Sequence, residues 1–212
     1  MGKRPTFSGL TSSFSGSGFP VVVSAPSGAG KTSLCRGVVE GNDGYVYSIS
    51  VTSRPRLAVE REDKDYQFVT KEAFEEGIRR AEFIEWTEYQ GSYYGTPREP
   101  LERALNEGKA VLLDLDINGA RKMKKLFPSC VTIYVLAPSL KELENRLRGR
   151  ARDPEEKIQA RLESASEEME NIEEYDYVFV NDDFDRSVQR LQCIIEAETC
   201  RNKNWPKRRK VS

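Results

Sequence analysis

A chain of 212 residues holds one compact domain with room for lobes, but not two full-sized domains. Its 33 Lys and Arg residues against 34 Asp and Glu leave a formal charge of −1, so no global basic field exists for gripping nucleic acid. Histidine is absent, which excludes Ser-His-Asp and Cys-His nucleophiles, imidazole proton transfer and every His-containing metal site. Any chemistry must use carboxylates, Lys, Arg, hydroxyls and backbone.

Residues 1–18 are rich in Gly, Ser and Thr without an acidic residue, and read as a flexible tail. Two basic residues and frequent Gly make a poor targeting helix, and Met1-Gly2 with Thr6 is only a loose myristoylation match. From residue 19 the pattern changes. The apolar run Val21–Ser24 leads into Ala25-Pro26-Ser27-Gly28-Ala29-Gly30-Lys31-Thr32, and Ser33–Glu40 can form a helix. Strand, Gly-rich loop and helix in that order make a P-loop, with Ala25 where the commonest form has its first Gly. Gly28 and Gly30 let successive N–H groups turn inward onto phosphate oxygens. The helix N-terminus adds attraction, Lys31 can reach the β- and γ-phosphates, and the Thr32 hydroxyl can ligate Mg²⁺.

A second strand is expected over Tyr45–Val51. From about Thr52 to Pro100 the strand–helix rhythm breaks into extended pieces (Tyr66–Val69, Phe83–Tyr89), one short helix and a Gly/Tyr turn, which reads as an inserted lobe. Strands then resume at Lys109–Leu115, Val131–Leu136 and Tyr177–Val180 with helices between or after them. Ser139 and Glu142 have the spacing of a capping box, and Asp153-Pro154 before Glu155 and Glu156 marks another helix start. Strands alternating with helices imply an α/β fold with a parallel sheet covered on both faces. The segment 204–212 carries Lys207-Arg208-Arg209-Lys210 and reads as a solvated basic tail. Four scattered cysteines (Cys35, Cys130, Cys193, Cys200) without a CxxC pair suit a reducing compartment. No apolar run reaches the ~18 residues of a membrane span, so a cytoplasmic protein is expected.

A P-loop alone leaves the reaction open. The blocks SAPSGAGKTS, Ser50 with Arg54, KDYQFV (Lys64–Val69), EWTEYQGSYYGT (Glu85–Thr96), LLDLDINGA (Leu112–Ala120) and VNDD (Val180–Asp183) together closely resemble guanylate kinase. The resemblance runs from about residue 20 to residue 200. It implies ATP- and Mg²⁺-dependent phosphorylation of GMP, and of dGMP, to the diphosphate. It also implies a three-layer P-loop core (19–51, 101–145 and 166–203), a GMP-binding lobe with mixed or antiparallel strands (52–100) and a helical lid (146–165).

Residue by residue, the resemblance implies that Glu85 and Asp116 face guanine N1–H and N2–H₂, with Ser50 and Thr96 supplying hydroxyls opposite O6. Adenine would leave those polar groups unpaired, a loss of ~10⁴ or more in discrimination. Arg54, Tyr66 and Tyr94 fall at the phosphate-binding positions, with Gly95 between the last of them and Thr96. Asp114 matches a carboxylate partner of Mg²⁺, and Asn181 an adenine contact. Arg146, Arg150 and Arg161 match lid arginines that face the phosphates, whereas Arg148 and Arg152 read as solvated, and Tyr93 as core.

One departure stands out. The family has a second Arg three residues after the first, followed closely by Gly-Glu; here Leu57 and Val59 stand at the Arg and Gly positions, and Arg56 lies one residue early. Arg56 is therefore expected to substitute at the phosphate. The alternative function, a non-catalytic guanylate-kinase-like binding module, implies lost P-loop residues, and Lys31, Thr32 and the lid arginines are present. The expected partners are GMP and ATP, with no nucleic acid, membrane or obligate protein partner.

Overall fold

The computed structural model describes residues 18–89, 91–149 and 155–201. Its centre is a strand that the sequence leaves no polar face: β1 (Phe19–Ser24) is buried at every position. Such a strand needs cover on both sides, as in a parallel sheet between helical layers. β1 pairs in parallel with β7 (Ala110–Asp114) and β8 (Val131–Leu136). β2 (Tyr45–Tyr47) lies outside β7 and β9 (Tyr177–Val180) outside β8, so the order is β2-β7-β1-β8-β9, all parallel.

Alternation along β1 sends its side chains to opposite faces. Val21 and Val23 meet Leu34 of α1 (Lys31–Val39), Leu143 and Leu147 of α5 (Leu140–Gly149), and Leu191 of α7 (Phe184–Thr199). Val22 meets the other layer, with Leu101 of α3 (Arg98–Asn106) and Met123 of α4 (Ile117–Leu126). Each such fully buried side chain contributes about 1.5–3 kcal/mol, which fixes the layers and hence the loops at the C-terminal ends of the strands.

The interrupted stretch forms its own mixed sheet, ordered β4 (Gln67–Phe68), β3 (Val51–Thr52), β6 (Ser92–Pro97) and β5 (Phe83–Tyr89). β5 and β6 are antiparallel, and β3 runs antiparallel to β6 but parallel to β4. The helix covering it, α2 (Lys71–Arg79), starts where Thr70 Oγ1 accepts the Ala73 N–H at 3.1 Å. Its Phe74 stacks on Phe83 (4.3 Å between centroids) and Tyr93 (5.2 Å), so Tyr93 packs in the lobe's apolar layer.

Three local readings are refined. The single strand expected over Tyr45–Val51 is divided between the sheets: Ser48 N–H still donates to Leu112 O in the first, and Val51 already pairs with Gly95 in the second. Propensity reports that residues 45–51 favour extended backbone, but the choice of neighbour is tertiary. At α5, Ser139 Oγ accepts the Glu142 N–H at 3.1 Å, while the Glu142 carboxylate turns to Arg146 at 3.0 Å, so half the capping box forms. The strand expected over Lys109–Leu115 ends at Asp114, and Asp116 beyond it caps α4 by accepting the Gly119 N–H at 2.7 Å. Arg150, the Asp153-Pro154 helix start, residues 1–17 and the basic tail lie outside the described residues. Among the described residues, no helix is long and apolar enough to cross a membrane.

Candidate active site

A cleft of about 430 Å³ opens between the two sheets at the C-terminal ends of β1 and β7. One end is the Gly-rich loop. Gly28 and Gly30 have φ of 101° and 94°, a region open to glycine at little cost. A Cβ on Gly30 would come within 2.8 Å of the Asn181 amide, and one on Gly28 within 3.1 Å of Leu147. Gly30 caps α1 without any side-chain acceptor, and no acidic residue occupies the first turn. The orphan N–H groups and positive helix end are thus left for an anion. Pro26, Ser27, Lys31 and Ser33 line this end, as do Ala25 and Gly28.

Beside Lys31, Thr32 Oγ1 donates to Asp114 Oδ2 at 2.5 Å, joining the loop to the end of β7. A hydroxyl and a carboxylate side by side, next to a phosphate cradle, form an all-oxygen donor pair of the kind Mg²⁺ takes. Tyr47, from β2, is pushed above the usual phenol range by burial and then by the Asp114 charge.

The opposite end is made by side chains from several elements. Ser50 comes from the strip joining the sheets, Glu85 from β5, Gly95 from β6 and Asp116 from the α4 cap. Glu85 is only 6% exposed and accepts the Thr96 hydroxyl at 2.7 Å. Burial raises the Glu85 carboxyl above the ordinary range; the Thr96 hydrogen bond and the Lys122 charge pull it back down, and the Asp116 charge pushes it up. Thr96 therefore directs its hydroxyl hydrogen bond at Glu85 and orients that carboxylate.

Tyr66 and Tyr94 line the cleft with ring centroids 6.0 Å apart. Arg54 lies over the Tyr66 ring at 5.4 Å, but its guanidinium is held bidentately by Glu60, both contacts 2.9 Å. Glu60 also accepts the Leu57 N–H at 2.9 Å. Burial pushes the Glu60 carboxyl up, yet the Arg54 and Leu57 hydrogen bonds prevail and hold it below the usual range. Arg56 donates to the Glu60 carbonyl at 2.9 Å; neither it nor Arg54 is among the residues lining the cleft. Glu60 directly follows Val59, at the Glu of the family's Gly-Glu, and its hold on Arg54 is seen only in the fold.

From another side of the cleft, α6 (Glu155–Met169) brings Arg161 to the loop, where it donates to Ser27 Oγ at 2.7 Å. Arg146 bridges Glu142 and the Asn181 carbonyl (3.3 Å). Asn181, expected at adenine, donates its amide to Ala29 O at 2.8 Å and so props the loop from beneath. Arg148 pairs with Glu144 and Glu155 on the exposed side.

Several lining residues were not anticipated: Thr87 and Tyr89 of β5, Ser164 and Glu168 of α6, Tyr134 and Tyr175. Arg161, Ser164 and Glu168 follow a helical i, i+3, i+7 spacing, a legible signal once Arg161 is known to face inward. Burial raises the Glu168 carboxyl, with the Lys31 charge opposing and the Asp116 charge adding. Glu168 thus bears on both ends of the cleft.

A P-loop on a covered parallel sheet, with carboxylates and hydroxyls at the far end of the same cleft, defines a P-loop phosphotransferase of the nucleotide kinase class. The guanylate kinase family profile matches residues 17–198. Guanylate kinase of Carboxydothermus hydrogenoformans is 42% identical over 186 residues, covering 88% of this chain and 91% of the relative. That of Syntrophotalea carbinolica is 45% identical over 184 residues, covering 87% and 88%. The crystal structure of guanylate kinase from Anaplasma phagocytophilum superposes with a TM-score of 0.75 at 33% identity, covering 91% of this chain and 92% of that one. The chain belongs to the guanylate kinase family.

Proposed function

We infer that the chain transfers the γ-phosphoryl group of ATP to GMP, giving GDP and ADP. The observation that carries this reading is a single cleft lined at one end by the phosphate loop and at the other by Glu85, Asp116 and Ser50. Two carboxylates suit the N1–H and N2–H₂ donors of guanine, and the Ser50 hydroxyl suits O6. Adenine at the same place would set an unprotonated ring nitrogen against a carboxylate.

Phosphoryl transfer requires little covalent work from a protein; positioning and charge stabilisation lower the barrier. The Gly28–Thr32 amides and Lys31 hold the donor phosphates. Tyr66, Tyr94 and Arg54 hold the acceptor phosphate, with Arg56 as a neighbouring cation on the same loop. Arg161 stands over the P-loop, and by their family positions Arg146 and Arg150 are assigned with it to neutralising charge on the moving group and excluding water. Thr32 and Asp114 would hold Mg²⁺, which supplies Lewis-acid neutralisation of the phosphate oxygens when bound. The acceptor oxygen is already ionised near neutral pH, so no strong base is needed and the missing histidines cost nothing. dGMP carries the same base and phosphate and is expected as a second acceptor. All four cysteines are free thiols, in keeping with a cytoplasmic setting.

A screen of the nucleoside monophosphates with ATP tests the reading. GDP should form from GMP while AMP, CMP and UMP stay essentially unused; equal turnover of AMP would overturn it.

A further inference from the structure

A second cavity of about 340 Å³ lies behind the guanine end of the cleft. Its walls include Ile78, Phe83 and Trp86, and Glu85 reaches both this cavity and the main cleft. Across it stands Lys122 of α4, whose Nζ donates to the Trp86 carbonyl at 2.6 Å. Trp86 follows Glu85 in β5, and Lys122 shares α4 with the Asp116 cap. One hydrogen bond thus ties the strand carrying the first carboxylate to the helix that begins at the second. Lys122 belongs to none of the sequence blocks that carry the family resemblance.

We propose that Lys122 is a positioning residue for guanine: it clamps β5 to α4, fixing the spacing of Glu85 and Asp116, and presents its ammonium to the back of Glu85. This rests on Glu85 and Asp116 being the guanine-reading pair.

The electrostatics agree with the geometry. Glu85 must be ionised for both its oxygens to accept, one of them already taking the Thr96 hydroxyl, yet burial works against the charge. The groups facing it are Thr96 from β6 and Lys122 and Asp116 from α4, and from the α2 side the cavity offers apolar Ile78 and Ala81. Lys122 is the one cation among them, set against the like charge of Asp116. Losing it favours protonated Glu85, so the acid limb of GMP utilisation should move to higher pH.

The full chain is assayed as wild type, Lys122→Met, Lys122→Gln, Lys122→Arg and Glu85→Gln. Lys122→Met should raise the KM for GMP about tenfold and leave that for ATP within about twofold, with kcat little changed. Its acid limb in kcat/KM for GMP should shift upward. Lys122→Gln keeps a donor for the Trp86 carbonyl but no charge, so it should show the pH shift with a smaller KM change. Lys122→Arg should rescue both. Lys122 is exposed and folding of each variant is checked by circular dichroism. An unmoved KM and unmoved acid limb in folded Lys122→Gln and Lys122→Met, with Glu85→Gln impaired, overturns this proposal alone. Unimpaired Glu85→Gln overturns the guanine reading and the proposal with it.

Discussion

The two ends of the cleft are built by opposite means. The donor end is main chain: consecutive residues 25–33, with Gly28 and Gly30 in backbone regions few residues tolerate, set on a strand buried throughout. The end proposed for the acceptor is side chain: Ser50, Tyr66, Glu85, Tyr94 and Asp116 arrive from different elements. Phosphate looks alike in every nucleotide, so backbone amides suffice for it. A base must be told from three others, which requires particular donors and acceptors placed by tertiary structure.

Lys31→Met is the hardest test of that division. Turnover should fall by at least ~10²–10³-fold, with calorimetric GMP binding and the melting temperature nearly unchanged. Asp116→Asn is the converse. Asn still caps a helix well, so stability should hold while the KM for GMP rises roughly 10–100-fold and that for ATP stays put. Equal losses for both substrates would erase the division between the ends. Glu60→Gln probes the acceptor end one step removed, through its bidentate hold on Arg54. Its KM for GMP should rise about 3–10-fold with little change for ATP. Least of all, Ala81→Gly should raise the melting temperature by about 1–3 °C by scanning calorimetry. Ala81 sits at φ 55° after α2, where glycine removes strain but loosens the unfolded chain.

The same contrast explains what could be read in advance. The phosphate loop was legible because its function lies in contiguous residues whose types the backbone geometry dictates. The parallel sheet was legible from short runs rich in β-branched residues, such as Val21–Val23 and Val131–Val135. The acceptor residues were legible only through a resemblance spanning separated blocks, since no spacing rule places Glu85 opposite Asp116. Composition could not reveal that Tyr45–Val51 divides between sheets, because extended backbone is common to both. Nor could it reveal that Asn181 spends its amide on Ala29 or that Asp116 doubles as a cap. Those outcomes depend on which atoms happen to lie within three ångströms in the folded chain.

The passage between the sheets is short. Ser48 still donates to Leu112 on one side, and Ser50 already accepts from Gln67 at 3.0 Å on the other, leaving Ile49 alone between them. The chain returns at Pro97, the last residue of β6 and the cap of α3. Most of the proposed base-reading apparatus is thus a cassette with two narrow splice points, which could be exchanged between relatives without recutting the half that carries the phosphate loop. Selectivity would travel with it only in part, because Asp116 stays behind with the host.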